Sequence, residues 1–262
     1  MKKYILAIII IIGLGLLWRH QIRQPDLIEV DLPAAKEYQE FVEQELAEDK
    51  DNLLADKIKE EVGVLDEISP QVEVVNVNLD VPFTSQAPTV NWDPPYQDAC
   101  EEASFLMVDY YYKNKQLPNE EDIEVLLSSM VIWQETNWGG HFDLPVAKLA
   151  EYINIFYDYR AEVISNVTIN QLEDFLDQGL PIIVPANGHI LNNPFFNGVG
   201  PEYHMLVIKG YVDNNFITND PGTSRGADFV YTYENMMESI FDWDTKKSSS
   251  TGPRNVLVLY ND

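Results

Sequence analysis

Cysteine occurs once in 262 residues, at position 100, and histidine only four times. One thiol excludes an intrachain disulfide and any zinc site built from cysteines. Basic residues are also scarce: 17 Lys and Arg stand against 43 Asp and Glu, a formal net charge of -26. Nucleic acid needs clustered Lys and Arg against its phosphates, so it is excluded as a partner, and docking on anionic lipid is disfavoured. The acidity serves solubility and mutual repulsion. Internal repeats and low-complexity tracts are absent. What is plentiful is apolar and aromatic material, at 45% and 11%, enough for a sizeable core in one or two domains.

One long apolar run stands at the start, Tyr4 to Trp18 within "MKKYILAIIIIIGLGLLWRHQIR". As a helix it would span about 22 Å, short of a hydrocarbon core of about 30 Å. No small-x-small cleavage site follows, and Trp18, Arg19 and Arg23 resemble interfacial anchors. Residues 1–23 are therefore expected to be an uncleaved signal anchor in the cell membrane that exports the body. A cleaved signal peptide, giving a secreted protein, is the alternative. Residues 24–70 are acidic and rich in helix formers, with apolar positions recurring loosely at Phe41, Val42, Leu46 and Leu53. They are expected to form a solvated helical stalk, the alternative being a helix packed on the body or on another copy of the chain. The body is expected over residues 71–262.

Within the body "VEVVNVNL" alternates as a strand does, and "EEASFLMVDYYYKN" and "INQLEDFLDQG" read as helices, the second stopped by Gly179. Then come "LPIIVPA", "HMLVIKGYV", "NFITND" and "NVLVLY", four strand-like runs. Helices mostly first and strands mostly second predict an α+β fold rather than a doubly wound parallel sheet.

Cys100 lies at the start of the first of these helices. Asp98 as N-cap and Glu101 three residues on would form a capping box. Unpaired N–H groups and the helix dipole there favour a thiolate and can receive an oxyanion. Glu101 and Glu102 oppose a second negative charge, and the plain alternative is a small buried hydrophobe. A nucleophilic thiol needs a base, and the base needs an orienting group. His20 flanks the apolar run, and His141 and His189 sit in loops without zinc-spaced partners. His204 heads an apolar strand, and Asp220 closes the next strand-like run. Antiparallel pairing brings the head of one beside the tail of the other, although the turn residues Asp213, Asn214 and Asn215 lie slightly late for direct opposition. Asn219 is the rival orienter. Phe195 and Phe196, in an Asn-, Gly- and Pro-rich loop before His204, are candidates for a substrate wall or for simple packing.

The pieces "VPFTSQAP", "WDPPYQDACEEASFLMVDYY", "YHMLVIKGY" and "FITNDPGT" occur in an order that resembles the papain-like cysteine peptidases related to those that remove double-glycine leaders from bacteriocins. The resemblance covers roughly residues 78 to 260. It implies a papain-like fold, with a nucleophile-bearing helix packed on an antiparallel sheet that carries the His and the Asp. It implies Cys100 as nucleophile, His204 as general base and acid, Asp220 as orienting carboxylate and Gln86 as side-chain oxyanion donor, with no cofactor or metal. Glu101 departs from the pattern, since glycine commonly follows the nucleophile in the leader-processing members. No transporter segments follow, so the leader-export role is not carried over. The expected protein is a membrane-anchored thiol hydrolase that cleaves peptide or protein substrates. A peptidoglycan amidase or transpeptidase, and a non-catalytic binding module on the same fold, are the alternatives.

Overall fold

The structure, a computed structural model, describes residues 27–47, 76–141 and 143–261. The signal-anchor expectation for residues 1–23 lies outside the described residues. Among the described residues no helix is long and apolar enough to cross a membrane.

Seven strands form one sheet: β1 (Val77–Asn78), β2 (Arg160–Ser165), β3 (Ile182–Ala186), β4 (His204–Val212), β5 (Asn215–Asn219), β6 (Phe229–Thr232) and β7 (Asn255–Tyr260). The order is β2-β7-β3-β4-β5-β6, with β1 pairing the far end of β4, and every pairing between these strands is antiparallel. The expected α+β class with an antiparallel sheet is what the chain adopts. β3 and β4 are buried along their whole length. A strand covered on both faces needs no polar alternation, which is why "HMLVIKGYV" reads as a near-continuous apolar run.

The helix Cys100–Tyr112 packs against β4 and is buried at every position except Tyr110. A helix enclosed on all sides must satisfy its polar groups internally. Asp109 does so by accepting from Lys113 Nζ at 2.6 Å and from Tyr159 Oη at 2.9 Å. Phe105 at its centre is fully buried against Tyr157. The helices Glu120–Trp138 and Val146–Phe156 lead into β2, and Ile169–Asp177 precedes β3. Thr168 and Gln171 form a reciprocal capping box on the last of these, and Gly179 takes a φ of +75° just beyond its end.

Part of the stretch expected to be a free stalk lies against the body. Lys36 bridges to Leu79, and Asn78 Nδ2 donates to Pro33 O at 3.0 Å. Residues 38–47 are helical, with Tyr38 edge-on to Tyr111 and Tyr112 and Phe41 over Gly179. A Cβ on Gly179 would meet the Phe41 ring at 2.5 Å, so the contact is close. Phe41 and Tyr38 therefore dock on the body by apolar burial, which the acidic composition around them had concealed.

The hairpin between β4 and β5 sets the phase of the site. It closes on a two-residue turn, Asp213–Asn214, with φ of +47° and +61° and Val212 facing Asn215. That turn alone would place Asp220 opposite Val207, on the face away from His204. Lys209 is an extra residue, and the pairing shifts so that Ile208 faces Thr218 and Val207 faces Asn219. One more step along the shifted register sets Asp220 opposite Leu206, in phase with His204. A one-residue shift exchanges the faces of every side chain beyond it. The bulge residue itself is held by Lys209 Nζ on Asp228 Oδ1 at 2.6 Å.

Candidate active site

His204 and Asp220 meet: the imidazole Nε2 lies 2.7 Å from Asp220 Oδ1, both groups being buried. Asp220 has a full set of partners. Gly222 N–H donates to Oδ1 at 3.0 Å, and Tyr231 Oη and Asn193 Nδ2 donate to Oδ2 at 2.7 and 2.9 Å. Burial alone would raise this carboxyl, but the His204 imidazole and the Tyr231 and Gly222 donors hold it below its ordinary value. Phe196 packs edge-on against the imidazole, ring centroids 5.2 Å apart. A Cβ on Gly222 would come within 2.8 Å of His204 Cε1, so a glycine here leaves the ring its room. Asn219 faces the other way and donates to Val81 O at 2.9 Å, as the alternation of β5 requires. Asp220, not Asn219, is the group beside the imidazole.

Cys100, His204 and Gln86 line one cavity of about 620 Å³, walled also by Trp92, Phe195 and Phe196. The thiol is the first residue of its helix, as expected, but the capping box is not formed. Ala99 is the N-cap without a side-chain bond, and Asp98 ends a short 3-10 turn, Tyr96–Asp98. Glu101 instead turns inward, 1% exposed, drawn by a distant donor: Leu144 N–H donates to its Oε1 at 2.9 Å. The Cys100 thiol donates to Glu101 Oε2 at 3.1 Å, and among the described residues no hydrogen bond joins it to His204. Burial, followed by the Glu101 charge, pushes the thiol up. Burial and then Glu102 push Glu101 up to about 8.

Gln86 is buried in the same cavity wall. Its amide hydrogens are engaged, since Nε2 donates to Tyr96 O at 3.0 Å and to Gln97 O at 2.7 Å. In this state it ties down the turn ahead of the thiol. Behind Glu101, Glu102 accepts from Gln134 Nε2 and lies 3.6 Å from His141 Nε2. Burial lowers His141, but its contact with Glu102 outweighs this and raises it overall. His141 thus sits beside Glu102 and away from the His204–Asp220 pair. Among the described residues no group of His, Cys, Asp and Glu has the form of a metal site.

Asn193, Tyr231 and Gly222 were not foreseen as site residues. Only Gly222 carried a signal, its place in "NDPGTSRG" directly after the strand.

A buried carboxylate behind an imidazole, opening on a cavity that holds the chain's only thiol, is the equipment of a cysteine hydrolase. The Peptidase_C39 like family matches residues 78–251, and the chain belongs to that family of cysteine peptidase-type hydrolases. Among solved structures, a crystal structure of a Bacillus anthracis protein described as a C39-like peptidase is similar at 14% identity and a TM-score of 0.47, covering 72% of this chain and 98% of its own. No curated protein matches.

Proposed function

We propose that the chain is a thiol-dependent hydrolase of peptide amide bonds that uses Cys100, His204 and Asp220 together. The observation that carries this is the His204–Asp220 pair at 2.7 Å on the cavity that Cys100 lines. With Nε2–H donated to Asp220, the free lone pair of the imidazole is on Nδ1. Nδ1 takes the thiol proton as sulfur attacks the carbonyl carbon, and later returns it to the leaving amine. Water then cleaves the thioester, with His204 again as base. The Cys100 backbone N–H, in the first helical turn where no intrahelical acceptor serves it, donates to the oxyanion in this reading. Gln86 joins it by releasing one of its two carbonyl bonds. The body works outside the cytoplasmic membrane, tethered by the apolar run Tyr4 to Trp18.

A thiol-directed peptidase probe tests the chemistry. Labelling of Cys100 that falls by about a hundredfold or more in His204→Ala is expected, in line with loss of a general base. Equal labelling of both proteins rejects the reading. Protease added to intact cells should degrade the body, and full protection of an expressed protein rejects the topology. One observation favours a second reading, a binding module without catalysis: the thiol is bonded to Glu101 and not to the imidazole. A Cys100 pKa that stays near or above the free-thiol value of about 8.5, whatever the state of Glu101, would support it.

A further inference from the structure

Among the described residues Glu101 is the group that hydrogen-bonds the sulfur, and the mechanism above does not use it. Its two oxygens are distinguishable. Oε1 accepts from Leu144 N–H, so it acts as the carbonyl-like oxygen of the group, and a carboxyl hydrogen belongs on Oε2, the atom 3.1 Å from Sγ. Leu144 is itself held on its carbonyl side, because Tyr203 Oη donates to Leu144 O at 2.7 Å. Tyr203 immediately precedes His204, so the base and the carboxyl are positioned through one short chain of contacts.

We infer that Glu101 is a further catalytic residue, a neutral carboxylic acid whose Oε2 accepts from the thiol at rest and donates its own hydrogen to the sulfur once His204 has taken the thiol proton, which favours the thiolate. The inference rests on the hydrolase reading. In the step itself the sulfur's proton passes to Nδ1 of His204, Glu101 keeps its own, and the product is a thiolate–imidazolium pair. A carboxylate beside the thiol would oppose this charge separation; a carboxylic acid assists it, as a neutral acid does in other buried sites.

The surroundings select the neutral form. Glu101 is 1% exposed, with Glu102 adjacent on the helix and also buried. Asp143, in the loop before the helix Val146–Phe156, and Tyr203, whose hydroxyl also contacts Asp242, line the same cavity as the thiol. Of the two imidazoles nearby, His141 sits 3.6 Å from Glu102 and His204 is engaged with Asp220. Burial and the neighbouring Glu102 raise Glu101 to about 8, so it carries its proton through neutral pH.

The chain's single cysteine makes alkylation an unambiguous readout. Iodoacetamide is reacted with the full chain, with E101Q and with E101L, and Cys100 modification is followed by intact mass from pH 6.5 to 9.5. An amide at position 101 keeps a donor facing the sulfur at every pH, and leucine has none. E101Q is expected to react at least tenfold faster than E101L at pH 6.5. The ratio of E101Q to wild type is expected to climb at least fivefold between pH 6.5 and 9.5, as wild-type Glu101 ionises. Should E101L not fold, the pH course of that ratio decides alone. A flat ratio overturns the inference, and so does a ratio already high at pH 6.5, which would make Glu101 a brake on the thiol. Equal rates in E101Q and E101L overturn it too. Wild-type alkylation at pH 7 indifferent to His204→Ala would instead sink the hydrolase reading, and is scored separately from the position 101 variants.

Discussion

Two buried carboxyl groups stand behind the cavity, one on its thiol and one on its imidazole, and are held in opposite ways. Asp220, 0% exposed, is surrounded by donors from His204, Gly222, Tyr231 and Asn193, and is held below its ordinary value. Glu101, 1% exposed, has one backbone N–H and a thiol, with Glu102 beside it, and is raised to about 8. Burial is common to both and cannot explain the difference. The number of donors and the sign of the nearest charge decide it. One carboxyl is built to stay charged and hold a cation, the other to keep its proton beside a developing anion.

Taking Asp220 away should do the greatest damage. Asp220→Ala leaves the imidazole, Asn193 Nδ2 and Tyr231 Oη without their buried acceptor. A loss of about 3–5 kcal/mol in unfolding free energy, read from urea midpoints, is expected. Removing one donor should cost less. Tyr231→Phe should lose about 1–3 kcal/mol and leave the carboxyl easier to protonate. The sign follows from the lowered value: Asp220 stabilises above its unfolded value of 3.8, and that contribution is lost as pH falls. The variant's acid unfolding should therefore begin at higher pH than that of the wild type.

Glu101 should show the reverse slope. Its folded value is raised, so the unfolded chain releases the proton first, and stability is lost as pH rises from 4.5 towards about 8. Glu101→Gln should flatten melting temperature against pH over that window. A wild-type curve already flat there would mean that Glu101 titrates as an ordinary carboxyl. The smallest effect is expected at the exposed end of the acidic group. Asp143 is raised to about 6 by burial, then by Asp98 and Glu202. Asp98→Asn should lower the Asp143 titration, followed by NMR, while changing stability by less than about 0.5 kcal/mol.

Much of the fold could be read locally. β4 and β7 begin and end where the apolar runs "HMLVIKGYV" and "NVLVLY" do, and the thiol helix lies where its composition put it. The helix Glu120–Trp138 escaped notice although its punctuation was present: Asn119 caps it by accepting from Asp122 N–H, and Gly139 ends it at a φ of +83°. Its apolar positions do not form a clean stripe. Thiol, imidazole and Asp220 were legible as an ordered set, and the structure brings Cys100 and His204 to one cavity with Asp220 behind the imidazole. What could not be read was who satisfies whom. Glu101 suited a local cap, but Leu144, 43 residues away, offered a buried N–H that claimed it. Asn193 reaches Asp220 across 27 residues, a contact that no short motif encodes. The apparent misfit of the β4–β5 turn came from assuming an unbroken ladder, which the extra residue Lys209 interrupts.

That extra residue also bears on how such a site is searched for. His204 and Asp220 are 16 positions apart, an even separation. With a two-residue turn and an unbroken ladder, residues an even distance apart on the two strands point to opposite sides. Only an odd separation puts them on the same side. A chain that closed this hairpin without the bulge would have to carry its carboxylate at an odd distance from the histidine. A pattern with the gap fixed at its present length would then pass over working sites, and accept straight hairpins in which the two groups never meet.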